Sequence, residues 1–208
     1  MGLTAHSTEH PGRVGIFGGA FDPPHRAHVA LARAAMEELH LERLHVLPTG
    51  HAWHKAHVLS PAADRLAMVH MAFDGLPGVV VDERELHRPG PTYTADTLAE
   101  MRQQYPGADL YLMMGADQAA ALTGWHRWEE VLHSAIISIA GRPAAVSAAA
   151  AADLQERHGA RVELLHLPDI PVSATDIRAR VAAGQGIDHL VPAGVARYID
   201  LHHLYKTP

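Results

Sequence analysis

Val14-Gly-Ile-Phe-Gly-Gly-Ala-Phe-Asp-Pro-Pro-His-Arg-Ala-His28 is the stretch that decides the fold. Val14-Gly-Ile-Phe17 is a short apolar run with the character of a buried strand. It breaks on Gly18 and Gly19, which allow close backbone approach to a bulky anion with no side chain in the way. Pro23 and Pro24 stiffen the turn and delay a helix until about His25. That helix is expected from about Arg26 to His40, with Val29, Leu31, Ala32, Met36 and Leu39 as its apolar stripe. Its start presents unpaired N–H groups and a partial positive charge, which favour phosphate. His25 and His28 are three apart and share one helix face. There, two imidazoles have N–H groups to offer a polyphosphate.

The same strand-then-helix alternation runs outward along the chain. Further strands are expected at His45–Leu47, Val79–Val81, Leu110–Met114, Ile136–Ala140 and Val162–Leu167. Helices are expected at Asp64–Phe73, with Leu66, Val69, His70 and Phe73 on one side, at Ala95–Gln104, and at Gln118–Leu122. Others follow at Trp128–His133 and Ala144–His158, with two more from about Ala174 and Pro192. Alternation of this kind implies right-handed crossovers. The expected fold is therefore α/β, a Rossmann-like, doubly wound and mostly parallel sheet with helices on both faces. Ligands in such sheets bind beyond the carboxyl ends of the strands.

Composition narrows the function classes. The chain has 208 residues, 48% of them apolar, a size suited to one domain over residues 13–208. Met1–Gly12 is polar, is expected to be a flexible extension, and lacks the apolar stretch of a secretory signal. No run approaches the length that spans a bilayer. The absence of cysteine suits a reducing compartment, and a cytoplasmic location is expected. A formal charge of -6 argues against a general nucleic-acid binder. It leaves small anionic ligands open, and it is compatible with a homo-oligomer. The 18 histidines are scattered, and His40, His133 and His202 read as helix surface.

The phosphate reading has rivals at the level of residues. The glycines and prolines could serve folding alone, and His25 and His28 have the H-x-x-H spacing of a metal pair. No nearby acidic or cysteine ligand supports the metal. The dinucleotide fingerprint G-x-G-x-x-G is absent, which disfavours a dehydrogenase. Ser173-Ala-Thr-Asp-Ile-Arg178 has the spacing of a capping box, Ser173 with Asp176. Asp117 in Gly115-Ala-Asp117 could cap a helix, as could a threonine in Pro91-Thr-Tyr-Thr-Ala95. His51, His54 and His57, at spacing three, invite a zinc reading, but catalytic zinc normally has carboxylates behind its histidines.

Gly18-Gly-Ala-Phe-Asp-Pro-Pro-His-Arg-Ala-His28 resembles the G-G-x-F-D-P-x-H-x-G-H element of nucleotidyltransferases of the HxGH class. The likeness continues from Val14 to Tyr205, and is most specific to the bacterial nicotinate-nucleotide adenylyltransferase family. It implies binding of ATP by Gly18, Gly19, Ala20, Phe21, His25 and His28. Ser173, Thr175 and Arg178 resemble the family's I-S-S-T-x-x-R phosphate motif. Gly115 and Asp117 resemble its G-x-D element, whose carboxylate holds the ATP ribose. His54 and Lys55 resemble its P-P-H-K loop, with Ala52 and Trp53 replacing the prolines and Lys55 as a mobile cation. The resemblance assigns Gly19, Lys55, Tyr93, Thr94, Trp125, His126 and Arg142 to nicotinate mononucleotide. The family's glycine between the two histidines is Ala27 here, a replacement expected to be tolerated.

No nucleophile stands poised with a base, so a covalent intermediate is not expected. The reaction implied by the resemblance is in-line attack of the mononucleotide phosphate on the α-phosphorus of ATP. His25, His28, Lys55 and Arg178 would stabilise charge, with Mg²⁺ carried by the ATP phosphates and no protein metal site. The rivals are an enzyme preferring nicotinamide mononucleotide or phosphopantetheine, a nucleotide-binding regulator without turnover, and a histidine-rich metal binder.

Overall fold

The computed structural model describes residues 12–50, 59–141, 144–166 and 170–206. The expected N-terminal extension lies outside them, apart from Gly12. Six strands form one sheet: β1 (Arg13–Gly19), β2 (Arg43–Pro48), β3 (Val79–Val81), β4 (Asp109–Gly115), β5 (Ile136–Ala140) and β6 (Val162–Leu165). The spatial order is β3-β2-β1-β4-β5-β6, and every pairing is parallel. The chain winds outward from β1 in one direction, then returns to place β4 on the other side of β1. That reversal opens a crevice at the carboxyl ends of β1 and β4, where doubly wound sheets bind ligands.

The helices are α1 (Arg26–Glu38), α2 (Ala62–Phe73), α3 (Arg84–His87), α4 (Thr94–Gln104), α5 (Ala116–Ala120), α6 (Trp128–Ser134), α7 (Ala144–His158), α8 (Ala174–Ala182) and α9 (Ala193–Leu201). Burial on both faces explains why the strands read as continuous apolar runs. All five residues of β5 are buried, as are the middle five of β4. One face packs on α4 to α7 through Leu98, Met101, Leu122, Val131 and Leu154. The other packs on α1 and α2 through Leu31, Ala35, Val69 and Phe73. A third apolar cluster joins α8 and α9 to Met68 of α2.

Several elements differ from expectation. The first helix stops at Glu38, and His40 stands in the turn beyond it with φ +49°, not on helix surface. The strand expected to reach Leu167 ends at Leu165. The helix expected over Gln118–Leu122 starts at Ala116 and gives way to a 3-10 turn at Leu122–Gly124. His202 is the residue that closes α9. The short α3 was not anticipated, because four residues carry no periodicity.

The largest correction is the face of α2. Its buried residues are Arg65, Met68, Val69 and Phe73, not Leu66 and His70. His70 instead pairs with Asp74 at 2.9 Å on the surface. The helix is rotated because Arg65, only 2% exposed, has carbonyl oxygens to satisfy. Its Nη1 donates to Thr49 O at 2.8 Å and Ala20 O at 3.0 Å, and its Nε to Ser60 O at 3.1 Å. One guanidinium thereby satisfies three half-buried loop carbonyls that no sheet or helix ladder reaches.

Replacing Arg65 with Met keeps much of the volume and removes all three donors. The Arg65→Met variant should lose about 2–4 kcal/mol of unfolding free energy in urea, with an unchanged slope. A loss below about 1 kcal/mol would mean that the carbonyls find other partners.

Candidate active site

The site begins where β1 ends. A Cβ at Gly18 would meet nothing within 4 Å, so the strand end faces open space. A Cβ at Gly19 would press on the Phe21 ring at 3.0 Å. That ring is buried, lying edge-on to Phe17 at 5.3 Å, Phe73 at 5.8 Å and His28 at 5.1 Å. Phe21 therefore offers a ligand its backbone rather than its ring. Its φ of +49° is unusual for a side chain of this size, and the packed ring holds it there. The next peptide, Asp22–Pro23, is cis.

His25 is the N-cap of α1 and His28 its third residue. The backbone N–H of His25 donates to His28 Nδ1 at 3.1 Å. A ring nitrogen that accepts carries no proton, so neutral His28 bears its proton on Nε2. The two rings stack with centroids 3.6 Å apart and planes 16° apart. Burial lowers the His25 pKa to about 4, so this imidazole is neutral near pH 7. His25 therefore offers a ligand a neutral N–H rather than a cation. His25 Nδ1 is buried with no hydrogen-bond partner among the described residues. Ala27 lies between them in the first turn of α1, partly exposed.

The second helix start is brought to the same loop. Ser173 caps α8, its Oγ accepting the Asp176 N–H at 3.1 Å. The capping reading of this segment therefore holds, and the phosphate reading sits beside it. Arg178, one turn in, donates from Nη1 to Asp22 O at 2.7 Å and from Nη2 to Thr175 Oγ1 at 3.2 Å. The β1–α1 loop and the first turn of α8, 156 residues apart in sequence, thus meet through one guanidinium. Gly115 ends β4 and caps α5 without a side-chain hydrogen bond. Asp117 is exposed and makes no cap, so its carboxylate stays available at the sheet edge.

A second cluster gathers around the start of α4. Its N-cap is Tyr93, with no side-chain cap, so neither nearby threonine plays that part. The Tyr93 ring lies 4.1 Å from that of His126. Trp125 follows the 3-10 turn and packs its ring partly against the core. Arg127, in the left-handed region at φ +55°, donates to Asp96 Oδ1 at 2.5 Å and to Glu130. Tyr93, Thr94, Trp125 and His126 are in this way gathered on facing segments. Lys55, with His51, His54 and His57, and Arg142 lie outside the described residues.

Beneath that cluster sits Glu85, which sequence reasoning missed. It is 6% exposed, and burial raises its pKa to about 7 against the pull of a 2.8 Å hydrogen bond from Thr97. Arg88 joins Thr97 to Glu100. The Glu85 carbonyl closes on Gly50, where a Cβ would fall 2.1 Å from it. Arg65 and Asp22 were also missed. Arg65 did leave a signal, as a charged residue within the apolar stripe set by Met68 and Val69. Asp22 left none.

The cytidylyltransferase-like family matches residues 16–180. A probable nicotinate-nucleotide adenylyltransferase of Albidiferax ferrireducens is 54% identical over 195 residues, covering 94% of this chain and 98% of its own length. In structure, the chain is similar to nicotinic acid mononucleotide adenylyltransferase of Plasmodium falciparum complexed with APC. There the TM-score is 0.73 at 17% identity, over 93% of this chain and 97% of that one. The same Plasmodium enzyme complexed with NaAD gives 0.71, with the same identity and coverage. At such identity the structural likeness speaks for the fold.

The burial of His25 has a signed consequence. Folded, it binds fewer protons than unfolded between about pH 4 and its ordinary 6.5, so its contribution to stability is present above 6.5 and lost as pH falls through that window. Glu85 runs oppositely: the stability it adds below its ordinary 4.5 is lost as pH rises through about 7. Between pH 6.5 and 4, wild type should lose about 3 kcal/mol more unfolding free energy than His25→Gln. Equal acid losses in denaturant titrations would show that His25 ionises freely.

Proposed function

The chain belongs to the nicotinate-nucleotide adenylyltransferase family, and we propose that it transfers the adenylyl group of ATP to nicotinate mononucleotide. The observation that carries this reading is the Arg178 bridge between the β1–α1 loop and the α8 start. It places two helix N-termini, each favouring anions, around one crevice at the β1–β4 switch point. A triphosphate is long enough to engage both.

The reaction is an in-line displacement. An oxygen of the mononucleotide phosphate bonds to the α-phosphorus of ATP as the bond to the β-phosphate oxygen breaks, and pyrophosphate leaves. The attacking phosphate is already anionic, so no base is required and catalysis comes from positioning and charge stabilisation. His28 gives Nε2–H to the phosphates, His25 a neutral N–H, and Arg178 and Lys55 positive charge.

Around this loop the donors are imidazole, guanidinium and backbone N–H groups, which suit anionic oxygens and not a hard cation. The one buried carboxylate there, Asp22, is engaged by Ser60 and Tyr205. A Mg²⁺ ion would thus ride on the ATP phosphates, neutralising charge as the pyrophosphate departs. Among the described residues no helix is long and apolar enough to cross a membrane. A chain without cysteine suits the cytoplasm, where we place it.

For the second substrate, Thr94 lies in the first turn of α4, where hydroxyl and backbone N–H donors suit a carboxylate that accepts at both oxygens. A carboxamide would turn its NH₂ toward a donor and leave one group unpaired. Trp125 and the Tyr93–His126 ring pair supply aromatic surface for the pyridine.

Each mononucleotide offered with ATP, with products identified by mass, tests the reaction itself. His28→Ala and Arg178→Ala should each lower turnover by on the order of 10²-fold with the fold kept. Near-normal rates in both variants would end the phosphate-site assignment. In competition, nicotinate mononucleotide should be preferred over the nicotinamide form by about tenfold or more, from a penalty of about 1–3 kcal/mol for the unpaired donor. Thr94→Ala should erode that preference, whereas Trp125→Ala should weaken both substrates alike. Equal use by wild type would sink the nicotinate assignment and spare adenylyl transfer.

A further inference from the structure

Past α9 the chain doubles back to the catalytic loop. His203 and Tyr205 both adopt left-handed backbone, with φ of +52° and +62°. Two such residues so close together persist only where the surroundings fix them. What fixes Tyr205 is Asp22, 183 residues away: the tyrosine hydroxyl donates to Asp22 Oδ1 at 2.6 Å. Asp22 is 3% exposed. Its other carboxylate oxygen accepts the Ser60 N–H at 3.1 Å, and its carbonyl oxygen accepts from Arg178 at 2.7 Å.

We propose that Tyr205 is a positioning residue for adenylyl transfer, its hydroxyl holding Asp22 and through it the loop that presents His25 and His28. Only two residues separate Asp22 from the N-cap of α1, and both are prolines with fixed φ. A shift at Asp22 is therefore passed to the imidazoles with little slack. Burial and the carboxylate together push the Tyr205 phenol well above its ordinary pKa, so the hydroxyl stays a donor throughout the working range. Arg65 grips the same loop at the Ala20 carbonyl, so the fold does not depend on Tyr205 alone. Transfer chemistry does, since a misplacement of an ångström costs orders of magnitude in rate.

The inference rests on the proposed reaction, and Tyr205→Phe in the full chain tests it. The ring and its packing remain while the hydroxyl goes. We expect kcat to fall on the order of tenfold, while KM for nicotinate mononucleotide and the thermal midpoint stay near wild type. In a cycle with Asp22→Asn, the double variant should lose little more than Asp22→Asn alone, because the hydroxyl acts through that carboxylate. Unchanged kcat in Tyr205→Phe would overturn the proposal. So would a loss matched by the fraction of unfolded protein, or losses that multiply in the cycle. If wild type itself forms no dinucleotide, it is the reaction that fails.

Discussion

A loop that crosses the end of a parallel sheet leaves carbonyl oxygens that neither sheet nor helix satisfies, and here the guanidinium groups of a buried Arg65 and a half-buried Arg178 take them. Arg65 holds Ala20 in the β1–α1 loop and Thr49 and Ser60 at the two ends of the β2–α2 connection. Arg178 holds Asp22. These bonds fix the described ends of the loops at the crevice, and the proposed site is built on them. The orientation of α2, the course of the chain between Gly19 and His25, and the approach of α8 all follow from where these donors sit. A buried cation would ordinarily be costly. This one is repaid by several hydrogen bonds to fixed dipoles, and Asp22 contributes favourable charge nearby.

The electrostatics of the site differ from a simple cluster of positive charge. The protein is acidic overall, and His25 is kept neutral by its own burial. In the proposed site, attraction for a polyphosphate comes instead from oriented N–H groups at two helix starts, from Arg178, and from His28 with its Nδ1 already taken. Such fixed donors need no reorganisation when charge moves from the α-phosphate to the leaving pyrophosphate. The proposed mononucleotide end is built otherwise, on aromatic surface and a helix start, over a carboxyl group buried at Glu85.

Much of the fold was legible because periodicity and punctuation report the backbone directly. Gly18 and Gly19 marked the end of β1, the prolines marked the delay before α1, and apolar runs marked strands buried on both faces. The clustering of His25, His28, Ser173 and Arg178 followed from topology once the strands were known to be parallel. What could not be read is where tertiary contacts overrule a residue's usual place. Arg65 belongs by type on a surface, His70 belonged by spacing to the stripe, and the two are exchanged. Phe21 sits in a motif that touches nucleotide, yet its ring is core. The neutral state of His25 depends on neighbours far off in sequence, and a pair such as Tyr205 with Asp22 leaves no local trace.

The distances in sequence carry a consequence for how the enzyme comes into being. The loop after β1 is made well before its partners: Arg178 lies 156 residues further on, and Tyr205 lies 183. Contacts so remote form only after the intervening loops have closed. A nascent chain can already pair β1 with β2, yet it cannot hold the histidines in register until α8 and the segment beyond α9 have left the ribosome. A chain made only as far as β4 would therefore carry the histidine loop without Arg178 or Tyr205 to hold it.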